Sequence, residues 1–431
     1  MLHENYGINE IGHLTLCGAD TVLLAEKYGT PLYLMDETLV RERMRMYRKA
    51  TEKYFGKGSG IHYASKALSC KEMYRIAADE HINVDVVSIG ELYTAKSAGY
   101  PLDHVCFHGN NKTDEDIERA LAVGVGEFMV DSFEELRALD NIAGRMGKVQ
   151  RIMLRVTPNI DPHTQKAIST GELDSKFGTP ISTGQAEKLT ELALSLDHVV
   201  LEGFHSHIGS QTFESGPFIE QAEVMLEFTA DMKKNLGFEA TKVNLGGGFG
   251  VAYTENDPRV NYVENIAAVG KEIERICKKY SLKKPAIFME PGRSIVADAG
   301  ITLYTVGSVK EIEGVRTYVS VDGGMTDNPR YALYGSKYTA LIANKASEPK
   351  TLNCTIAGRC CESGDMIGEN MFIQPAKRGD ILAVLVTGAY NYSMASNYNR
   401  VPRPAMVFIR DGNDRLVVRR ESFEDLYRND I

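Results

Sequence analysis

Eight short apolar or β-rich segments recur between residues 30 and 292, each separated from the next by a helix-like stretch. They are "IHYAS" (61–65), "VDVVS" (84–88), "VCFHG" (105–109), "EFMVD" (127–131), "RIMLRV" (151–156), "LEGFHSHIG" (201–209), "KVNLGGG" (242–248) and "AIFME" (286–290). This rhythm restricts the fold more than any other feature of the chain. Parallel strands need long crossovers, and helices supply them. A closed (β/α)8 barrel and an open, doubly wound sheet both alternate in this way, and eight units favour the barrel. The spacers carry helix signals. "DEDIERALAVG" (114–124) opens with acids, which suit the positive end of a helix dipole. "DSFEELRALDNIAG" (131–144) opens with Asp131 and has Glu134 three residues on, a capping-box spacing.

The texture changes after residue 292. "ITLYTVGSVKEI", "RTYVSVDGG", "NCTIAGRCCESGD", "DILAVLVTGAY", "PAMVFIR" and "DRLVVRR" are short strand-like runs broken by Gly, Asp and Pro. We therefore expect a barrel over 31–292 and a β-rich domain over 293–431, which residues 1–30 join. The chain of 431 residues is long enough for both.

The net charge of −9 leaves no basic footprint for nucleic acid. No apolar run is long enough to span a membrane, and no basic-then-apolar start marks a signal peptide. Seven scattered cysteines without a CxxC pair argue against a disulfide framework or a structural zinc site, so a cytoplasmic setting is expected.

In a barrel, chemistry gathers at the C-terminal ends of the strands. The polar and glycine-rich oddities of this chain fall there. Lys66 follows strand one, where it is either a snorkelling surface lysine or a desolvated amine nucleophile. Asp85 and Ser88 belong to strand two or its end, and Arg155 lies near the end of strand five. "NLGGGFG" ends strand seven with Gly246, Gly247, Gly248 and Gly250, which let backbone N–H groups approach an anion; a tight turn without a ligand is the plainer reading. "HSHIGS" offers His205, His207 and Ser210. Two histidines one residue apart suit a metal in a barrel hydrolase. The other strand ends mostly carry Gly, Lys and Arg, so no metal is expected. "MEPGR" sets Glu290 at the end of a buried strand, where a carboxylate needs a cationic partner, and brings Gly292 and Arg293 beside it. In the second domain, "GRCCESGD" carries Cys361 and Glu362 in a glycine-flanked loop. "DNPRYALYG" places Arg330 and Tyr334 four apart, where both can face one ligand, and "TGAYNYSM" holds Tyr390.

Together and in this order, "YASKA", "HSHIGSQ", "GGGFG", "EPGR", "CCESGD" and "GAYNYSM" resemble the diaminopimelate decarboxylases, pyridoxal phosphate (PLP) enzymes of the alanine-racemase-like barrel group. "TGELDSKFG" (170–178) and "MTDNPRYALYG" are similar to that family's substrate-side segments, and the resemblance covers nearly the whole chain. It implies that Lys66 is the covalent tether of PLP and that His207 stacks on the ring. Ser210, Gly247, Gly248, Gly292 and Tyr390 would serve the phosphate, Asp85 would be a further cofactor contact, and Glu290 would pair with the ring nitrogen. Arg293, Arg330 and Tyr334 would hold the substrate's distal carboxylate, with Arg293 also near the cofactor and Tyr390 also near the substrate, and Glu362 would read its distal amine. Cys361 would be the proton donor, delivered from the second subunit of a homodimer.

The implied reaction is conversion of meso-2,6-diaminopimelate to L-lysine and CO2, the last step of lysine biosynthesis. Charge logic agrees. A carboxylate at the ring nitrogen keeps it protonated and strengthens the electron sink that decarboxylation needs. Two arginines and a glutamate suit a small amino-acid substrate with a far carboxylate and a far amine. The alternatives are a related PLP decarboxylase for arginine or carboxynorspermidine, a non-catalytic relative, and a metal-dependent hydrolase resting on "HSH" alone.

Overall fold

The computed structural model describes residues 3–160 and 175–431. All eight expected segments form strands: β1 (Gly60–Ala64), β2 (Asn83–Val86), β3 (Val105–Phe107), β4 (Glu127–Val130), β5 (Gln150–Thr157), β6 (Val199–His205), β7 (Lys242–Asn244) and β8 (Ala286–Met289). Each pairs in parallel with the next, and β8 closes on β1 through Phe288↔Gly60 and Met289↔Ile61. The result is a closed eight-stranded parallel barrel. Its strands are almost wholly buried, which is why they read as unbroken apolar runs rather than alternating ones. Cys106, Met129 and Met153 pack together within it.

The spacers fold as helices, with caps that the sequence anticipates closely but not to the residue. Thr113 and Asp116 form a full capping box ahead of Asp114–Val123. The next helix, Phe133–Arg145, is capped by Ser132, whose hydroxyl accepts from Glu135 N–H; the expected Asp131–Glu134 pair is displaced by one residue. Asp131 is held elsewhere: its carboxylate accepts the Gly178 N–H at 3.0 Å and faces Arg155 Nε at 3.8 Å.

The chain divides into two compact units. One runs over Arg43–Gly250 and Arg259–Gly292 and contains the barrel; the other takes the segment up to Glu42, Val251–Pro258 and Arg293–Ile431. The second unit is built on a mixed sheet with the order Met366–Ile373, Leu352–Ala357, Arg316–Val321, Gly300–Ile312, Leu32–Asp36, Ala405–Arg410 and Asn413–Val418. All six strand-like runs noted after residue 292 contribute strands to it. The strand Leu32–Asp36 lies at its centre, antiparallel to Gly300–Ile312 and parallel to Ala405–Arg410, and all five of its residues are buried. Residues 31–36, grouped with the barrel in the sequence reading, therefore pair in this sheet. Tyr6–Ile8, Leu14–Leu16 and Ala19–Asp20 form a small antiparallel sheet of their own in the same unit. Among the described residues, no helix is long and apolar enough to cross a membrane.

Candidate functional site

The barrel unit carries one constellation at the C-terminal ends of its strands. Lys66 is the middle residue of a 3-10 turn, Ser65–Ala67, directly after β1. Ser65 and Ala67 are buried, and Lys66 is exposed. Its ammonium still bears on its surroundings: it favours ionisation of Asp85 and Glu91 and disfavours protonation of His207. The small size of Ala64 and Ala67 matters for packing. A Cβ added to Gly292 would stand 2.9 Å from Ala64 Cβ and 3.1 Å from Ala67 Cβ, so these three residues let the turn after β8 close on the turn after β1.

Glu290, just past β8, is buried, and three residues meet it. Asn244 Nδ2 donates to Oε1 at 2.8 Å, His205 Nε2 donates to Oε2 at 3.1 Å, and His108 Nε2 stands 3.0 Å from Oε1. Burial by itself would raise the Glu290 pKa, but His108 and His205 outweigh it and hold the carboxyl well below its usual range. Glu290 is thus an anion at neutral pH. Burial pushes His205 down to about 4, which makes it a neutral donor through its Nε2–H tautomer. His62, under the same web, is also pushed down to about 4 by burial, and its Nδ1 lies 3.5 Å from Asn244 Nδ2.

His207 lies beyond the end of β6, half-buried, and its ring accepts the Gly247 N–H on Nδ1 at 3.3 Å. Burial, then Lys66 and Arg155, keep it neutral. Among the described residues, the metal-capable side chains that come within 4.8 Å of one another are His108, His205 and Glu290, at hydrogen-bonding separations.

The glycine run after β7 weaves these loops together. A Cβ on Gly247 would sit 2.1 Å from the Glu290 carbonyl oxygen, so only glycine permits that approach. Thr212 N–H donates to the Gly248 carbonyl, and Gly250 N–H returns a bond to Thr212. Ser210 lies in the same loop after β6. Asp85 is buried with Oδ1 unpaired, and burial raises its pKa to about 7. Arg155, at the end of β5, packs its guanidinium 4.4 Å from the centre of the Phe177 ring. Of the stretch 170–178, residues 170–174 lie outside the described residues.

The other unit carries a second constellation, cationic and aromatic. Arg293 and Arg330 are both buried. Arg293 Nη1 donates to Tyr253 Oη at 2.7 Å, and its guanidinium lies 4.7 Å from the centre of the Tyr390 ring. Arg330 Nη1 donates to Tyr338 Oη at 3.0 Å and lies 5.1 Å from the Tyr253 ring. Burial would raise the Tyr253 phenol, yet the two guanidiniums lower it. Among the described residues Arg330 is partnered by tyrosines rather than by a carboxylate. Tyr334, at the far end of the same short helix, is exposed rather than buried with Arg330. Cys361 and Glu362 are both exposed on the loop between Leu352–Ala357 and Met366–Ile373.

Sequence reasoning did not single out His108, Asn244 or Tyr253. The first two are polar residues at the ends of β3 and β7, and that position was the available signal.

These features together fit a pyridoxal cofactor: an exposed lysine at the end of β1, a carboxylate held ionised past β8, an unpaired buried Asp85 oxygen and a backbone cradle that one Cβ would fill. A parallel barrel with this equipment, joined in one chain to a separate β-sheet unit, defines the class of barrel-fold pyridoxal-dependent lyases. Residues 37–297 match the family described as pyridoxal-dependent decarboxylase, pyridoxal binding domain. The chain is 45% identical to the diaminopimelate decarboxylase of Bacillus subtilis, over 100% of this chain and 98% of that one. It is 47% identical to that of Halalkalibacterium halodurans, over 100% and 98%. The crystal structure of M. jannaschii diaminopimelate decarboxylase in complex with L-lysine superposes with a TM-score of 0.90 at 34% identity, covering 100% of this chain and 99% of that one. The chain belongs to the diaminopimelate decarboxylase family.

Proposed function

We propose that this chain is a carboxy-lyase that converts meso-2,6-diaminopimelate to L-lysine and CO2, the closing step of lysine biosynthesis, with pyridoxal phosphate as its cofactor. One observation carries the reading most directly: Glu290 is kept anionic in a buried site at the end of β8. When bound, the cofactor supplies a conjugated ring that takes up the electron pair left at Cα as CO2 departs. Glu290 holds the proton on the ring nitrogen, which an anion does and a neutral group does not. Lys66 is the tether, and its exposure leaves the amine accessible to a carbonyl. Neutral His207 is assigned the face of the ring. Asp85, with its unpaired oxygen, is a further cofactor contact. The phosphate is assigned to Ser210, to the backbone of Gly247, Gly248 and Gly292, and to Tyr390.

Arg293 and Arg330, with Tyr334, are assigned the substrate's distal carboxylate, Tyr390 a further substrate contact, and Glu362 the distal ammonium. Cys361 hands a proton to Cα. Its exposure on a loop suits service to a neighbouring copy, and the active species is assigned as a homodimer; the cytoplasmic assignment rests on the scattered cysteines without a CxxC pair. Arginine and carboxynorspermidine have no distal carboxylate to meet two arginines and are disfavoured as substrates.

The test is direct. Purified chain, with and without added pyridoxal phosphate, is incubated with meso-diaminopimelate, and lysine and CO2 are measured. Borohydride fixation followed by peptide mapping then locates the cofactor. Release of CO2 from arginine but not from diaminopimelate would reverse the substrate assignment. Label fixed at any residue other than Lys66 would reverse the tether. Mixing the inactive variants Lys66→Ala and Cys361→Ala should restore activity if subunits share sites; continued inactivity after proven subunit exchange counts against the dimer.

A further inference from the structure

Cys361 and Glu362 are both exposed on their loop. A proton donor has to be held to a fraction of an ångström to be effective. A buried carboxylate lies at the base of this loop. Asp365, four residues after Cys361, is 3% exposed, and its carboxylate is spanned by two backbone donors. Cys360 N–H donates to Oδ2 at 2.7 Å, and Met325 N–H donates to Oδ1 at 2.6 Å. The first donor belongs to the Cys-Glu loop. The second belongs to the turn after Arg316–Val321, which runs on into Arg330.

Two glycines make the seat. A Cβ on Gly358 would stand 2.2 Å from both carboxylate oxygens, and one on Gly324 would stand 2.3 Å from Oδ1. The backbone of Asp365 completes the arrangement: its N–H donates to the Glu362 carbonyl at 3.1 Å and its carbonyl accepts from Gly358 N–H at 2.8 Å. Arg359 N–H donates to the Gly323 carbonyl at 2.9 Å, a second tie between the same two segments. Cys361 N–H is held separately, by Asn399 Oδ1 at 2.7 Å.

We infer that Asp365 is a positioning residue for the reaction: its buried carboxylate fixes the loop bearing Cys361 and Glu362 and joins it to the turn that leads into Arg330. It touches neither substrate nor cofactor. It acts through the backbone of Cys360 and Met325, and the inference rests on the proposed roles of Cys361, Glu362 and Arg330. A carboxylate suits the seat because both oxygens face donors. An amide there would set its NH2 group against one of the two N–H groups.

The experiment uses the full-length, cofactor-loaded enzyme and the variants Asp365→Asn, Asp365→Ser and Cys361→Ala. Four quantities are read: kcat with meso-diaminopimelate, the rate of iodoacetamide alkylation at Cys361 by peptide mass spectrometry, cofactor content, and the thermal midpoint. Both Asp365 variants should keep their cofactor and lose about 10- to 100-fold in kcat, with a several-fold change in the alkylation rate at Cys361. Wild-type kcat together with a wild-type alkylation rate would overturn the inference. So would loss of cofactor and fold in both variants, since Asp365 would then be a general structural residue. Cys361→Ala separates the two readings. If it keeps wild-type turnover, the role of Cys361 as proton donor fails, while the alkylation rate in the Asp365 variants still decides whether Asp365 sets that loop.

Discussion

Asn244 Nδ2 reaches Glu290 Oε1 at 2.8 Å, joining the last residue of β7 to the first residue beyond β8. The bond crosses between neighbouring strands of a closed barrel, and both residues are buried. With the His205 donor at 3.1 Å and His108 Nε2 at 3.0 Å, it surrounds a single anion. Buried anions are stable only when their lone pairs are met in this way.

Replacing Glu290 by Gln keeps the size and removes the charge. Turnover of meso-diaminopimelate at saturating cofactor should fall by at least about 100-fold, the scale of losing one preorganised electrostatic partner. Single-turnover CO2 release measures this. A fall of only a few-fold would mean that the charge is not what the site uses.

The same cluster also predicts a pH effect. Burial raises the Glu290 pKa, and His108 and His205 more than reverse it. Removing one donor, as in His205→Phe, shifts that balance upward. The carboxylate then protonates at higher pH, so the acid limb of the kcat/KM profile should move to higher pH while the basic limb stays. An unmoved acid limb would show that Glu290 does not set it.

Arg330→Met should raise KM for meso-diaminopimelate and lower kcat/KM by about 100-fold, the usual scale for truncating one member of a buried charged contact. Bound cofactor should be unaffected. Steady-state kinetics and cofactor absorbance check this, and a matching loss of bound cofactor would move Arg330 out of substrate recognition.

Gly247→Ala places a Cβ 2.1 Å from the Glu290 carbonyl oxygen. The strain should cost about 1–3 kcal/mol and push apart the loops after β7 and β8. Equilibrium dialysis should show weaker retention of pyridoxal phosphate, and calorimetry a lower thermal midpoint. Unchanged values for both would mean that the two loops have slack which the structure does not show.

His62 has its pKa pushed down to about 4 by burial, so it is neutral in the folded chain. In the unfolded chain it takes up a proton below about 6.5. The unfolded state therefore binds more protons over this window, and His62 contributes a loss of stability as pH falls from 6.5 towards 4. The full loss is on the order of 3 kcal/mol. His62→Asn should flatten that part of the urea-unfolding profile relative to the parent chain. An equal slope in both proteins would assign the acid sensitivity to other groups.

Much of the barrel was legible because each strand is buried on both faces and bounded by helix signals; "EFMVD" and "AIFME" leave little choice. Lys66, His207 and Glu290 stood out for a related reason, since a polar residue closing an apolar run is conspicuous. Lys66 also shows the limit. Its exposure depends on a 3-10 turn that no local pattern announces. The Asp131 cap failed similarly: Asp131 was a good N-cap by type, but Gly178 and Arg155 hold it from distant parts of the chain.

What the amino-acid order determined alone was the alternation of strand and helix, the switch to β-rich texture after residue 292, and the chemical types at the strand ends. These follow from local periodicity and turn chemistry, which act over a few residues. The tertiary structure decided which of those groups meet. His108 and Asn244 reach Glu290 from 182 and 46 residues away in the chain. Tyr253 joins Arg293 and Arg330 only because Val251–Pro258 leaves the barrel unit to pack with the other. Closing the barrel brings such positions together, and the protonation states that matter for the reaction come from that proximity and burial rather than from any residue's own chemistry.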